Sequence, residues 1–271
     1  MKIAIAGKGG VGKTSIAGTL ARHLARDGLR VFAFDNDLNP NLSLTLGIPA
    51  ERLVNLPTLP EGVIKRYPSG AAEWTISLQE IYGTYGLRAP DDITLVVAAE
   101  PRKANTGCFG MMHLAMRDLV YASANDPGEV CILDTEASTE HLTIGTAMYV
   151  EAMYAVVEPY YKSLETGRRV LALAQDLRIP RVGLLANKVR GDADREAVRL
   201  YAERHELELF GCVPHDDCFF HAERAAQAPI DFAPDAPAVR EIGRIARPLV
   251  DGLAPGRPRE VGRPRSGASA R

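Results

Sequence analysis

Seven short apolar or β-branched runs recur along the chain, KIAIA, RVFAFD, ITLVVA, EVCILD, AMYAVVEP, RVGLLANK and ELELFGCV, with segments of helical period between them. Strands that read as near-continuous apolar runs are covered on both faces. The pattern therefore predicts an α/β fold: a doubly wound, mostly parallel sheet with helices on both sides. Ligands of such sheets collect beyond the carboxyl ends of the strands, and the polar motifs of this chain fall there. Two stretches break the rhythm. Residues 49–92 are rich in Pro, Gly and Tyr, hold the single tryptophan, Trp74, and show no clear strand pattern. They read as an irregular insertion packed on a domain spanning 1–253. From Ala254 onward the chain is polar and arginine-bearing, and residues 254–271 read as a disordered tail.

Composition narrows the picture. With 271 residues and 46% apolar content, the chain can bury one sizeable core. A net charge of -2 gives no global attraction to nucleic acid or to an anionic membrane, so neither is expected as a partner. The opening MKIAIA lacks the basic start and the length of a secretion signal, and no apolar stretch is long enough to cross a bilayer. The expectation is a cytoplasmic protein. Cys108, Cys131, Cys212 and Cys218 form no C-x-x-C pair and read as free thiols.

Residues 7–14, GKGGVGKT, follow a strand and precede the helical SIAGTLARHLARDG, which ends at Gly28. Strand, glycine loop and helix in that order define a phosphate-binding loop. Gly7, Gly9, Gly10, Val11 and Gly12 supply backbone N–H groups to phosphate oxygens, and the helix N-terminus adds partial positive charge. Lys13 is placed to reach the β- and γ-phosphates, Thr14 to coordinate Mg²⁺ and Ser15 to donate near the α-phosphate. The second strand ends in FDNDLNPN, where Asp35 and Asp37, two apart, share one side of a strand, so both carboxylates can point toward the bound phosphates and metal, and Asp35 reads with Thr14 as a candidate Mg²⁺ residue. Asp134 closes the apolar run EVCILD, a position suited to a carboxylate serving bound magnesium.

Lys8 is not required by the phosphate loop itself. With it, the loop resembles the deviant phosphate-loop ATPases of the SIMIBI type, which include the MinD and ParA positioning proteins, the nitrogenase iron protein and several metal-insertion ATPases. The resemblance implies that Lys8 crosses a dimer interface to the partner's nucleotide, so that ATP draws two copies together. It also makes Asp37 the residue that orients the attacking water, although Leu38 stands where the group has proline. Asn187 and Lys188 of LLANKV and Pro214 of GCVPHDD take the positions that recognise and close over adenine. The stretch DTEASTEHL (134–142) is similar to that of the CooC-type accessory ATPases, which insert nickel into carbon monoxide dehydrogenase. Asp134, Glu136, Ala137, Glu140, His141 and Leu142 match, whereas Ser138 replaces glycine. In AVVEPYYKSLETG, Glu158, Pro159 and Ser163 match as well.

Those nickel-insertion proteins carry a C-x-C pair per chain. Here TGCFGMMHLAMRDL offers Cys108 alone, a candidate ligand for Ni²⁺ or Zn²⁺ at a dimer interface, beside the plain alternative of a helix start with packing methionines. The missing second cysteine predicts weak or absent nickel binding. Cys212, His215, Cys218 and His221, at every third position, form a second zinc candidate. The reading that joins these features is an ATP- and Mg²⁺-dependent dimeric ATPase that serves a client metalloenzyme. The alternatives are a positioning ATPase, a slow nucleotide-gated scaffold and an iron-sulfur dimer.

Overall fold

A computed structural model describes residues 1–54, 56–60, 62–66, 72–99 and 110–251. In chain order the strands are β1 (Lys2–Gly7), β2 (Arg30–Asn36), β3 (Ile64–Arg66), β4 (Ala72–Trp74), β5 (Gly86–Arg88), β6 (Thr94–Val97), β7 (Glu129–Thr135), β8 (Ala152–Val157), β9 (Arg181–Val189) and β10 (Glu208–Pro214). The helices are α1 (Lys13–Arg26), α2 (Leu42–Thr45), α3 (Leu78–Glu80), α4 (Gly110–Ala122), α5 (Glu140–Ile144), α6 (Tyr161–Asp176), α7 (Asp192–Arg204), α8 (Cys218–Arg224), α9 (Pro229–Phe232) and α10 (Pro237–Asp251).

Eight strands form one sheet in the order β10-β9-β8-β1-β7-β2-β6-β5. Every pairing is parallel except that of β5 with β6. β1, β7 and β8 are buried at all positions, which is why their sequences are apolar without alternation. The two faces are nevertheless distinct. Ile3 and Ile5 join a core with Ile16, Leu20 and Leu24 of α1 and Ile242 of α10, whereas Ala4 and Ala6 join one with Met116 of α4, Leu171 of α6 and Val198 of α7. The sheet is thus covered on both sides, as the hydrophobic pattern predicts.

Within α1, Ile16, Leu20 and Leu24 lie four residues apart on the buried face; each such side chain contributes roughly 1.5–3 kcal/mol by leaving water. The helix stops because Gly28 adopts φ 89°, a left-handed geometry that lets Leu29 N–H donate to Leu24 O at 3.1 Å. The chain places β2 and β6 to one side of β1, returns β7 between β1 and β2, and sets β8, β9 and β10 on the other side. The loop after β1 therefore lies where the winding reverses, the location at which a doubly wound sheet opens a crevice.

The insertion differs from its sequence reading. It contains strands: β3 pairs antiparallel with β4, and β5 extends the main sheet antiparallel to β6. Each has three residues, too few to display a period of two in the sequence.

Candidate nucleotide site

The loop from Gly7 to Gly12 turns tightly because three glycines adopt φ values that other residues rarely take: 141° at Gly7, 80° at Gly10 and 95° at Gly12. Two of them also make room. A methyl group at Gly7 would strike Val156 O of β8, and one at Gly12 would strike Asn187 Nδ2. That amide in turn donates to Val11 O at 2.7 Å, so the end of β9 fixes the loop. Lys188, at φ 57°, sends its ammonium to Gly10 O at 2.6 Å and to Glu158 Oε1 at 3.0 Å, tying the loop to the turn after β8.

A cleft of about 520 Å³ opens over this loop. Gly9, Gly10, Gly12, Lys13, Thr14 and Ser15 form one wall, and Asp37, Asn41 and Thr45 another. Phe219, Glu223, Gln227 and Pro229 complete the rim from α8 and α9. A narrower recess of about 180 Å³ shares Gly12, Ser15 and Phe219 with the cleft and is lined by Asn187, Lys188, Pro214, Asp216 and Phe220. The residues singled out on β9 and at the end of β10 thus meet the phosphate loop in one continuous depression. Sequence reasoning missed Asp216, Phe219 and Phe220. Asp216 accepts from Cys218 N–H at 2.9 Å and Ala238 N–H at 3.2 Å, holding the recess wall, and the spacing D-x-C was its visible signal.

Beneath the loop the charges are buried. Lys13 is 7% exposed and donates to Lys8 O at 3.3 Å. Burial pulls its pKa down, opposed by the carboxylates of Asp134, Asp37 and Glu136. Asp134 is 1% exposed, and neither carboxylate oxygen has a hydrogen-bond partner among the described residues. Its pKa is raised well above the ordinary range, first by burial and then by Asp35, its register partner across β2 and β7; the Thr14 hydroxyl and Lys13 act in the opposite sense. A buried, unpartnered carboxylate beside a helix-terminal hydroxyl is the donor set a hard divalent cation takes, so the residues present fit Mg²⁺.

The aspartate pair after β2 divides its work. Asp35 is fully buried, accepts from Leu42 N–H at 2.9 Å and Asp37 N–H at 3.1 Å, and has its pKa lifted to about 6, mainly by burial. Its carboxylate anchors the turn into α2 and does not line the cleft, so the sequence expectation of a direct Mg²⁺ ligand at Asp35 is corrected: both its oxygens are engaged by backbone N–H groups. Only Asp37 lines the cleft, and its Oδ1 accepts from Asn39 N–H at 2.9 Å. That local bond closes the turn at Leu38, the position at which the resembled group has proline.

In the loop after β7, Ser138 is not among the residues with positive φ, so serine is accommodated without strain and can present its N–H as glycine would. Its hydroxyl donates to Glu136 and accepts from Glu140 N–H. His141 is fully buried, and among the described residues neither ring nitrogen makes a hydrogen bond of good geometry, though the Ser138 backbone acts on the ring to favour its protonated form. Lys8 is exposed on the loop but does not line the cleft of its own chain. Its ammonium lies 5.9 Å from the centroid of the Tyr160 ring.

The metal readings fare differently. Cys108 lies outside the described residues. Among the described residues no group of three His, Cys, Asp or Glu side chains could hold a metal ion, so the Cys212, His215, Cys218, His221 candidate is not assembled. Cys212 and Cys218 are buried, and burial pushes the Cys218 thiol up to about 12. No described helix is long and apolar enough to cross a membrane.

A glycine loop between β1 and α1, set over buried carboxylates in a mostly parallel sheet, defines a phosphate-loop nucleotide-binding protein. Residues 2–230 match the CbiA family, the CobQ/CobB/MinD/ParA nucleotide binding domain, and the chain belongs to that family. It is an ATPase of that type. It is 34% identical over 248 residues to the carbon monoxide dehydrogenase accessory protein CooC of Rhodospirillum rubrum, covering 86% of this chain and 91% of that protein. An uncharacterized ATP-binding protein of Methanocaldococcus jannaschii is 35% identical over 254 residues, with 90% and 96% covered. Among solved structures, the septum site-determining protein MinD of Pyrococcus horikoshii, complexed with Mg-ADP, superposes with a TM-score of 0.69 at 18% identity, covering 94% of this chain and 97% of that one.

Proposed function

We propose that the protein is a dimerising, Mg²⁺-dependent ATPase that acts as an accessory factor in the maturation of a metalloenzyme, with nickel insertion into a carbon monoxide dehydrogenase as the leading case. One observation carries this reading: the 34% identity to CooC over 86% of the chain, which includes the stretch DTEASTEHL. The coverage of that relative, 91% of its length, supports a shared overall activity.

The residues take these roles. The N–H groups from Gly9 to Ser15 cradle the phosphates, and Lys13 neutralises their charge from beneath. Thr14 and Asp134 would hold Mg²⁺, with Asp35 supporting them through the turn it anchors; the bound ion supplies further charge neutralisation on the phosphate oxygens. Asp37, in the cleft wall, orients the attacking water. Asn187 and Pro214, with Lys188, form the recess for the adenine ring. Lys8 stands outside its own cleft, and this supports its use on a second copy, where a cation adds to transition-state stabilisation as an arginine finger does. ATP thereby favours the paired state and hydrolysis releases it, a population shift that delivers work to a client.

The test is co-expression with a nickel-dependent carbon monoxide dehydrogenase under limiting nickel. The wild-type chain is expected to raise the active fraction of the client, and Lys13→Ala and Asp37→Ala to abolish the gain; equal client activity with and without the chain would refute the role. A positioning role is the second reading, favoured by 27% identity over 262 residues to the chromosome-partitioning ATPase Soj of Thermus thermophilus. ATP-dependent retention on DNA or liposomes would favour it.

A further inference from the structure

Lys8 carries an ammonium with no carboxylate against it among the described residues, yet it does not hang free: it sits over the face of Tyr160. A cation within about 6 Å of an aromatic centroid is attracted by the ring's electron-rich face. The placement of that ring is determined by its surroundings. Tyr160 caps α6 with extended backbone angles, its N–H donates to Glu158 O at 2.8 Å, and its carbonyl accepts from Ser163 and Leu164 N–H at 3.0 and 3.1 Å. Glu158 N–H in turn donates to Ser163 Oγ at 2.9 Å. The same Glu158 binds Lys188, which also holds Gly10 O. The phosphate loop and the turn bearing Tyr160 are therefore tied together, and Tyr160, 43% exposed, is open to solvent.

We propose that Tyr160 is a positioning residue that parks the Lys8 ammonium on its own chain, and that leaving this ring is a step in completing the two-copy site. The inference rests on the reading in which Lys8 serves the second copy. An ammonium on the ring is not extended toward a partner's phosphates, so the parked population subtracts from the population competent to pair. Each copy must release its own Lys8, so pairing is weaker than the interface alone would give in proportion to the square of the unparked fraction. The contact also keeps a mobile cation from wandering over the phosphate loop of its own chain, where Lys13 already sits.

The experiment measures self-association of the full chain by sedimentation equilibrium in Mg²⁺ and a non-hydrolysable ATP analogue. Removing the ring in Tyr160→Ala should tighten self-association by about four- to twenty-five-fold, the square of the two- to fivefold factor that one exposed cation–π contact supports, because each copy releases one. Tyr160→Leu, which keeps apolar bulk without the π face, should do the same, and Tyr160→Phe should restore the wild-type value. In the nucleotide-free protein, the Lys8 ε-methylene protons should show an upfield ring-current shift that Tyr160→Ala abolishes. If the tyrosine variants leave self-association unchanged or weaken it while Lys8→Ala still abolishes it, the parking role falls and the two-copy reading stands. If Lys8→Ala leaves self-association and turnover intact, the two-copy reading falls and takes the parking role with it.

Discussion

Single residues in this protein are tuned by what burial denies them. His141 sits fully inside the loop after β7, and burial, with His113 and Lys13 nearby, depresses its pKa to about 3. The folded state therefore holds the neutral ring, whereas the unfolded chain takes up a proton near pH 6.5. Since the folded value lies below the unfolded one, the stability is present above about pH 6.5 and is lost as pH falls toward the folded value, by about 1.4 kcal/mol per pH unit. Replacing the ring by a group that cannot titrate removes that slope. His141→Gln should lose less thermal stability than the wild type between pH 7 and 5.5, as read by differential scanning calorimetry; parallel losses would show that the ring is not the titrating group. Asp134 illustrates how far a residue is legible in advance. Its place at the end of an apolar run marks it as a site carboxylate, but only the structure shows that its oxygens are unpartnered among the described residues and that Asp35 lies opposite in register.

At the level of elements, one buried cation holds together segments that the sequence keeps far apart. Arg22, 2% exposed on α1, donates to Asp91 at 2.6 Å, to Leu46 O at 2.7 Å and to both oxygens of Asp231 at 2.9 and 2.8 Å. Leu46 follows α2 and Asp231 lies in α9, and both helices contribute to the cleft rim. Removing the guanidinium in Arg22→Met should cost about 3 kcal/mol, the low end for breaking a buried ion pair, because Arg26 also binds both acids and these acids keep contact with water. The loss should appear in urea unfolding as a lower midpoint with an unchanged slope. Nothing local announced this network, since Asp91 and Asp231 stand 69 and 209 positions from Arg22. The same holds for β5, whose three residues become a strand because the edge of β6 offers unpaired backbone groups. The longer apolar strands and α1, with its glycine stop, were readable directly.

For the whole molecule, the proposed site belongs to two copies, and that has a consequence neither copy shows alone. A Lys8→Ala chain keeps its own Asp37, and an Asp37→Ala chain keeps its own Lys8. In a mixed pair of the proposed kind, Lys8 from the second chain would reach the intact cleft of the first. Mixing two variants that are each inactive should therefore recover ATP turnover, measured by phosphate release, whereas a site complete within one chain would give none. The outward position of Lys8, on Tyr160 and away from its own cleft, is the structural basis of this expectation.

What the sequence determined by itself was local and periodic: the apolar strands, the glycine loop between a strand and a helix, and the carboxylates at strand ends. Spacing of a few residues suffices to encode these, because backbone geometry sets which neighbours share a face or turn. The tertiary structure decided the strand order, the division between Asp35 as anchor and Asp37 as cleft wall, the Arg22 network and the aromatic seat of Lys8. Each of these depends on which distant segments pack together, and that is settled by burial and pairing over the whole chain rather than by any run of neighbouring residues.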